Sequence, residues 1–382
     1  LADVSESIRK FAESYVTASY FSRGAWNWID TLHPLDWRPT ERTCLALCLP
    51  FGPQVWDWVE AQGEDVRAEY WLRAPAYLWE WDEPIVRRAV AGLLAANRPF
   101  SAIDLVNFRG DPERPSDLIA EVLEAGLSQN TAEKMRDIAY DVQQLVGCLQ
   151  ADATFDRQRL ARLEWGYLPY LEQSYSKTRP ATLVAAVIEN PSLYLELIRA
   201  AYRGNNEPAH ATDDTETHRF QARRAGEFLD HLDILPGMNE SGAIISTTLD
   251  TWVQSVLKLS EASGHSEITA DKIGQFIGRA MYPHLDRSEI WSQLGPVVET
   301  HANDDLTDGI VNGILNSRGV TSRDPFEGGQ IERELAAKFG ERAKAAGRFS
   351  TKLAKCFTAI QTHYEHYALR EDEIAERRRV GR

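Results

Sequence analysis

The stretch Glu83–Phe108 reads EPIVRRAVAGLLAANRPFSAIDLVNF. Ile85, Val90, Leu93 and Leu94 recur at the three- and four-residue spacing that gathers side chains on one side of an α-helix. Arg98-Pro99 ends that helix, because proline disfavours helical backbone in the residue before it. Residues 100–108 then read as a second helix, so the pair makes a helical hairpin.

The same period extends outward in both directions. Residues 5–20 place Ile8, Phe11, Tyr15 and Ala18 on one face. Beyond the hairpin, helices are predicted over 116–125, 131–149 and 156–171, and Pro180 opens a short one to Glu189. Asn190-Pro191, an N-cap followed by proline at the first helical position, opens another that runs to 203. The pattern resumes at 218–232, 248–262 and 268–281, the last opened by Thr269-Ala-Asp-Lys. Two long helices, 330–346 and 350–379, close the chain. No stretch alternates Val, Ile and Thr between turn residues, which argues against a sheet. The expected fold is all-α, with antiparallel helical hairpins stacked in the manner of an α-solenoid. Its repeats are degenerate, because no fixed period of about 30 to 45 residues is present.

The segment 204–217, GNNEPAHATDDTET, is polar and reads as a loop or hinge. It divides the chain into an aromatic-rich N-terminal subdomain, 1–203, and a C-terminal helical subdomain, 218–382.

Composition narrows the function classes. With 57 acidic and 42 basic residues in 382, the formal charge of −15 works against nucleic acid and anionic membranes as partners. No apolar run is long enough to cross a bilayer, and without a basic stretch followed by an apolar one at the start no leader peptide is expected. The start at Leu1 rather than Met suggests an excised piece of something longer. Four unpatterned cysteines do not make a disulfide scaffold. Cys44 and Cys48, one helical turn apart on an apolar face, read as buried free thiols in a reducing, cytoplasmic compartment.

Eight of the eleven tryptophans fall in the first 81 residues, so that region either packs an aromatic core or grips a partner. Trp56 with Val59, and Trp71 with Ala74, fit core spacing. Trp79 and Trp81 flank Glu80 and precede Asp82-Glu83-Pro84, which favours an exposed position for one of them. Asp57, Asp82 and Glu83 lie among the tryptophans and keep an alternative open: an all-α (α/α)-barrel carbohydrate-active enzyme working with two carboxylates. The acidic pairs Asp213-Asp214 and Asp304-Asp305 lack the second motif that would hold magnesium around a diphosphate. His363 and His366 could share a helix face, but no third metal ligand accompanies them. Gly328-Gly329-Gln330 reads as a turn and helix start. Arg318, Arg323 and Arg333 could face Glu327, Glu332 and Glu334, making a charged clasp across the loop between two helices.

Several segments are similar to one another's counterparts in a known group. NSRGV (316–320) with Arg323, GGQIERELA (328–336) and the run from Tyr367 to Asp372 resemble the C-terminal helical regions of large bacterial multidomain proteins. EYWLRAPAYLWE (69–80), LEWGYLPYLE (163–172), ENPSLYLELIRAAYR (189–203) and LPGMNESGAI (235–244) resemble the same group. Such regions follow an N-terminal effector or nucleotide-binding module in proteins of bacterial defence or signalling type. The resemblance implies a non-enzymatic recognition or scaffolding array with no catalytic residues, metal or cofactor. Its partner would be a protein: another domain of its own chain, or a host or phage protein. Trp79, Trp81, Arg318 and Arg323 are the partner-binding residues expected from the sequence.

Overall fold

A computed structural model describes residues 14–20, 22, 26–78, 81–107, 114–127, 138–171, 178–205, 216–239, 241–319 and 327–380. Every regular element among them is a helix, and the one extended pairing is an isolated antiparallel bridge between Met238 and Ile244. The chain is all-α, as its periodicity predicts. It forms two compact units, Leu1–Leu183 and Val184–Arg382. This division falls ahead of the polar stretch 204–217, of which 206–215 lie outside the described residues; the helix that follows already begins at Glu216. No single described helix is long and apolar enough to cross a membrane.

In unit 1 a helix over 14–20 is followed by α1 (Trp26–Asp30), α2 (Pro39–Leu47), α3 (Pro53–Ala61), α4 (Glu64–Arg73) and α5 (Glu83–Ala95). Then come α6 (Pro99–Asn107), α7 (Ser116–Gly126), α8 (Ala139–Ala151), α9 (Arg157–Gly166) and α10 (Leu168–Leu171); α11 (Ala181–Glu189) carries the boundary between the units. Proline is the first residue of α2, α3 and α6, where its missing N–H costs nothing and its fixed φ suits the helix. Asp82 and Asp156 cap α5 and α9 by accepting from Ile85 N and Arg159 N, each cap worth about 1 kcal/mol.

The quoted helix, α5, buries Val86, Ala89, Val90 and Leu93, while Ile85 and Leu94 are only half-buried. Its face is therefore turned from the one the spacing suggests. The reason lies in α4: the Trp71 ring lies across Gly92, where a Cβ would come within 2.5 Å of it. The helix predicted over 156–171 is broken at Tyr167, whose buried hydroxyl donates to Leu123 O at 2.8 Å. Gly166 beside it is pressed on Leu127, so a tertiary contact interrupts a locally helical sequence.

Unit 2 comprises α12 (Pro191–Ala201), α13 (Glu216–His231), α14 (Ser246–Glu261), α15 (Ser266–Met281), α16 (Ser288–His301), α17 (Asp304–Asn316), α18 (Gln330–Ala346) and α19 (Thr351–Val380). Asn190 caps α12 through Ser192 N, as its sequence predicts. α15 opens at Ser266, two residues ahead of the expected Ile268. The buried ring of His265, held between Ser263 O and Tyr202 O, ends the preceding turn there.

Two seams organise unit 2. On α15, Gly274 and Gly278 face Gly309 and Gly313 of α17, and a Cβ at any of the four would lie 2.2 to 2.5 Å from a backbone carbonyl oxygen of the other helix. Gly274 meets Gly309 and Gly278 meets Gly313, so the two helices run in the same sense with their backbones in contact. The second seam joins α18 and α19. Gly329 lies against Ala368, Phe339 against Phe357 and Tyr364, and the early part of one helix meets the late part of the other, so they run antiparallel. Glu332, Ala336, Phe339, Ala343 and Ala346 are the buried stripe of α18, at alternating four- and three-residue steps.

Glu299 of α16 locks the start of α19. Its carboxylate accepts from Ser350 Oγ (2.7 Å), Thr351 Oγ1 (2.9 Å) and Lys352 N (3.1 Å), while Lys352 Nζ donates back to Ala302 O. These donors, Ser350 first, hold its carboxyl at about 2, below the ordinary 4.5. Its contribution to stability is therefore present above about pH 4.5 and is lost as pH falls toward 2. Glu299→Gln is expected to lower stability at neutral pH and flatten its acid dependence in that window. Acid titration of the helical circular-dichroism signal checks this; an acid profile identical to wild type would contradict the lock.

Candidate recognition surface

The four residues expected to bind a partner are not brought together. Trp79 and Arg323 lie outside the described residues. Trp81 is half-buried and packs against the core of unit 1. Arg318, just past α17, turns inward: its guanidinium lies over the Tyr364 ring, 5.2 Å from the centroid, and 3.7 Å from the carboxylate of the fully buried Glu332. The predicted clasp thus forms between Arg318 and Glu332. Arg333 instead reaches Asp372 on α19 at 2.6 Å, and the same carboxylate accepts from Gly329 N. Gly328 has φ +69°, and Gly329 caps α18, so Gly328-Gly329-Gln330 is the turn and helix start its sequence suggests.

The carboxylates of the carbohydrate-enzyme alternative are each engaged separately. Asp57 pairs with Arg88 at 2.7 Å, Glu83 pairs with Arg87 at 2.8 Å, and Asp82 caps α5. Arg88 also lies over the Trp56 ring. Trp56 and Trp71 are core residues, as are Val59 and Ala74 at the spacing noted in the sequence. His363 and His366 are exposed, and no group of three or more potential metal ligands occurs among the described residues. Cys44 and Cys48, expected to be buried, are half-buried; Cys356 is buried, which pushes its thiol up to about 12.

Interior charges in unit 2 hold helices in place. Lys272 donates to Asp230 (2.9 Å) and Gln275 (3.2 Å) above the Tyr202 ring, and Gln275 donates to Asp271, whose carboxyl is raised by burial. Arg279 donates to Leu229 O and Leu232 O, satisfying the carbonyls at the end of α13.

The feature left over is a loop the sequence marks only by its turn residues. Between α13 and α14, the described residues 232–239 and 241–245 are drawn together by the Met238–Ile244 bridge. Asn239 Oδ1 accepts from Ser241 N, Ser241 Oγ and Ala243 N, and Asn239 N donates to Ala243 O. Gly237 (φ +76°) and Gly242 (φ +79°) supply the left-handed turns. Gly242 also sits directly on the His284 ring, where a Cβ would approach to 2.5 Å. From α16, Gln293 accepts from Ile244 N at 2.9 Å and its carbonyl accepts from Ser246 Oγ at 2.8 Å; Arg287 donates to Ser241 O. Leu235 and Ile244 are buried beneath, whereas Ile234 (45%) and Ile245 (60%) stand exposed. The Pro236-Gly237 and Ser241-Gly242 pairs bracketing an asparagine were the available sequence signal.

Comparison with family models, curated proteins and solved structures finds no match to the chain.

Proposed function

We propose that this chain is a non-enzymatic helical interaction module, the sensing or assembly part of a larger cytoplasmic bacterial protein of the defence or signalling type its segments resemble. In this reading its helices stack as antiparallel hairpins in the α-solenoid manner. The local packing supports that arrangement, since the principal helix contacts within each unit join helices one to three places apart along the chain. The partner is a protein, not nucleic acid or membrane, in keeping with the charge of −15.

The observation that carries the reading is the loop over 232–245. Its described residues are irregular backbone bonded to their own asparagine and to Arg287 and Gln293 and packed on His284, yet they turn Ile234 and Ile245 to solvent. A surface ordered in advance does not lose loop entropy on binding. Ile234 and Ile245 keep 45% and 60% of their surface exposed, so covering each against a partner contributes about 1 to 1.5 kcal/mol.

The test is capture by the immobilised chain from host lysate, with and without phage infection, read by mass spectrometry. A protein retained by the wild type and lost with Ile234→Asp/Ile245→Asp supports the module, and dependence on infection would make it a sensor. Both side chains are exposed, so the variant is expected to keep its helical signal. Retention unchanged in the variant, or no retained protein, counts against the loop as the recognition surface.

A further inference from the structure

A basic stretch lies where α18 turns into α19. Residues 338–355, KFGERAKAAGRFSTKLAK, hold six basic side chains and one acidic one, a balance of 6 − 1 = +5 in a chain that carries −15 overall. Carboxylates of neighbouring elements take up part of it. Asp286 pairs with Arg342 at 2.6 Å, and Glu299 accepts from Ser350, Thr351 and Lys352 N at the start of α19. With both counted the stretch still carries 5 − 2 = +3. Lys352 Nζ is bound to Ala302 O, beside the acidic start of α17. Lys344, Arg348 and Lys355 are exposed, and none of the three has an ion-pair partner among the described residues. At Gly347 a Cβ would stand 3.8 Å from the Ala354 Cβ, so α18 and α19 come close at the turn, with Arg348 next to one and Lys355 next to the other. Phe349, between them in sequence, is pressed on Gly295 of α16 through its backbone and Cβ, yet keeps 39% of its surface in solvent. Helix stability accounts for only part of this pattern. Lys344, in the last turn of α18, complements the negative end of that helix, whereas Lys355, near the positive end of α19, gains nothing from it.

We propose that this turn is a docking site for a short acidic segment of a protein partner, with Phe349 as the apolar contact among its charges. The inference rests on the interaction-module reading and names the partner's chemistry. Charge selects the sign of the occupant, and reach selects its kind. Outside the stretch the chain carries −15 − 5 = −20. Nucleic acid and anionic bilayers present their charge over many Debye lengths, each about 8 Å at physiological salt. Either would meet the field of the remaining chain as well as the turn. A short acidic segment covers the turn alone. Arg348 offers it a planar donor that can hold a carboxylate through two bonds, and Lys344 and Lys355 add point charges on either side. Phe349 supplies the apolar anchor that a rim of charges surrounds.

The experiment titrates the whole chain with a short fluorescent peptide of glutamate and leucine, beside its lysine-for-glutamate counterpart, a single-stranded oligonucleotide and vesicles containing phosphatidylserine. The acidic peptide is expected to bind, the basic one not to, and binding to weaken as salt is raised. Arg348→Glu/Lys355→Glu is expected to lower affinity about tenfold. Lys258→Glu/Arg370→Glu makes the same change of charge at exposed positions away from the turn and is expected to leave affinity within about twofold. All four side chains are exposed, so both variants are expected to keep the wild-type circular-dichroism spectrum, which is recorded alongside. No binding of the acidic peptide, equal losses in the two variants, or tighter binding of the oligonucleotide or the vesicles overturns the proposal. Capture of a lysate protein through Ile234 and Ile245 that is unchanged by Arg348→Glu/Lys355→Glu overturns this site while leaving the module intact.

Discussion

Gly309→Ala is expected to destabilise unit 2 by about 2 to 3 kcal/mol, although alanine is the better helix former. In a solvent-facing helical position the same change gains roughly 0.5 to 1 kcal/mol. At Gly309 the added methyl would sit 2.2 Å from Asp271 O and 3.0 Å from Asp271 C and Gln275 N, all backbone atoms of α15. A helical carbonyl cannot swing aside as a side chain can, so α15 and α17 must separate by about an ångström, and overpacking of this kind costs about 1 to 3 kcal/mol or more. Gly313→Ala, aimed at Gln275 O from 2.3 Å, is expected to behave alike. The double variant should cost less than the sum, because the first methyl already opens the seam. Gly226→Ala on α13 is the control: its nearest neighbours would be Tyr202 Oη at 3.7 Å and Ala201 Cβ at 3.9 Å, so a gain of roughly 0.5 to 1 kcal/mol is expected there. Urea denaturation followed by circular dichroism separates the signs. If Gly309→Ala stabilises as Gly226→Ala does, the two backbones are not in contact.

Trp56→Ala is expected to remove about 3 to 5 kcal/mol from unit 1, a large part of the roughly 5 to 15 kcal/mol that holds an ordinary domain together. Trp56 is fully buried, with Phe51 4.9 Å and Trp71 5.5 Å away between ring centroids. Its removal leaves a cavity beneath the Arg88 guanidinium that now lies over the ring. Trp81→Ala, at a half-buried position on the margin of the same core, is expected to cost clearly less. Denaturation followed by tryptophan fluorescence reports mainly on unit 1, which holds nine of the eleven tryptophans. Equal losses for the two variants would mean that Trp81 is as much a core residue as Trp56.

Much of the local structure could be read in the chain, and the reason is the short range of the interactions involved. The helix at 330–346 has the bounds the sequence predicts, the one expected from Pro180 to Glu189 begins one residue later at Ala181, and Asn190 caps α12 as its neighbour Pro191 suggests. Caps, first-turn prolines and apolar stripes depend on residues within four positions of one another. The Trp56–Val59 spacing was legible for the same reason. The surface reading fared differently. Arg318 looked available in the sequence and is turned onto Glu332 and Tyr364 by the seam between α18 and α19. Arg333 takes Asp372 of α19 rather than a nearby glutamate because the antiparallel pairing delivers that carboxylate.

By itself, then, the sequence determined that this protein is all-α, where most of its described helices run, and that Trp56 and Trp71 sit at core spacing. Tertiary structure alone decided which faces meet. GQFIG in α15 and GIVNG in α17 are each an unremarkable pair of glycines, and they become a backbone-to-backbone seam only because the fold sets one against the other in register. The described residues of the stretch between α13 and α14 are bonded or packed against Gln293, Arg287 and His284, which approach from the far side of α14 and α15 in sequence. Close packing and hydrogen bonding between segments distant along the chain leave no periodic trace in either segment, so only their approach in space reveals them.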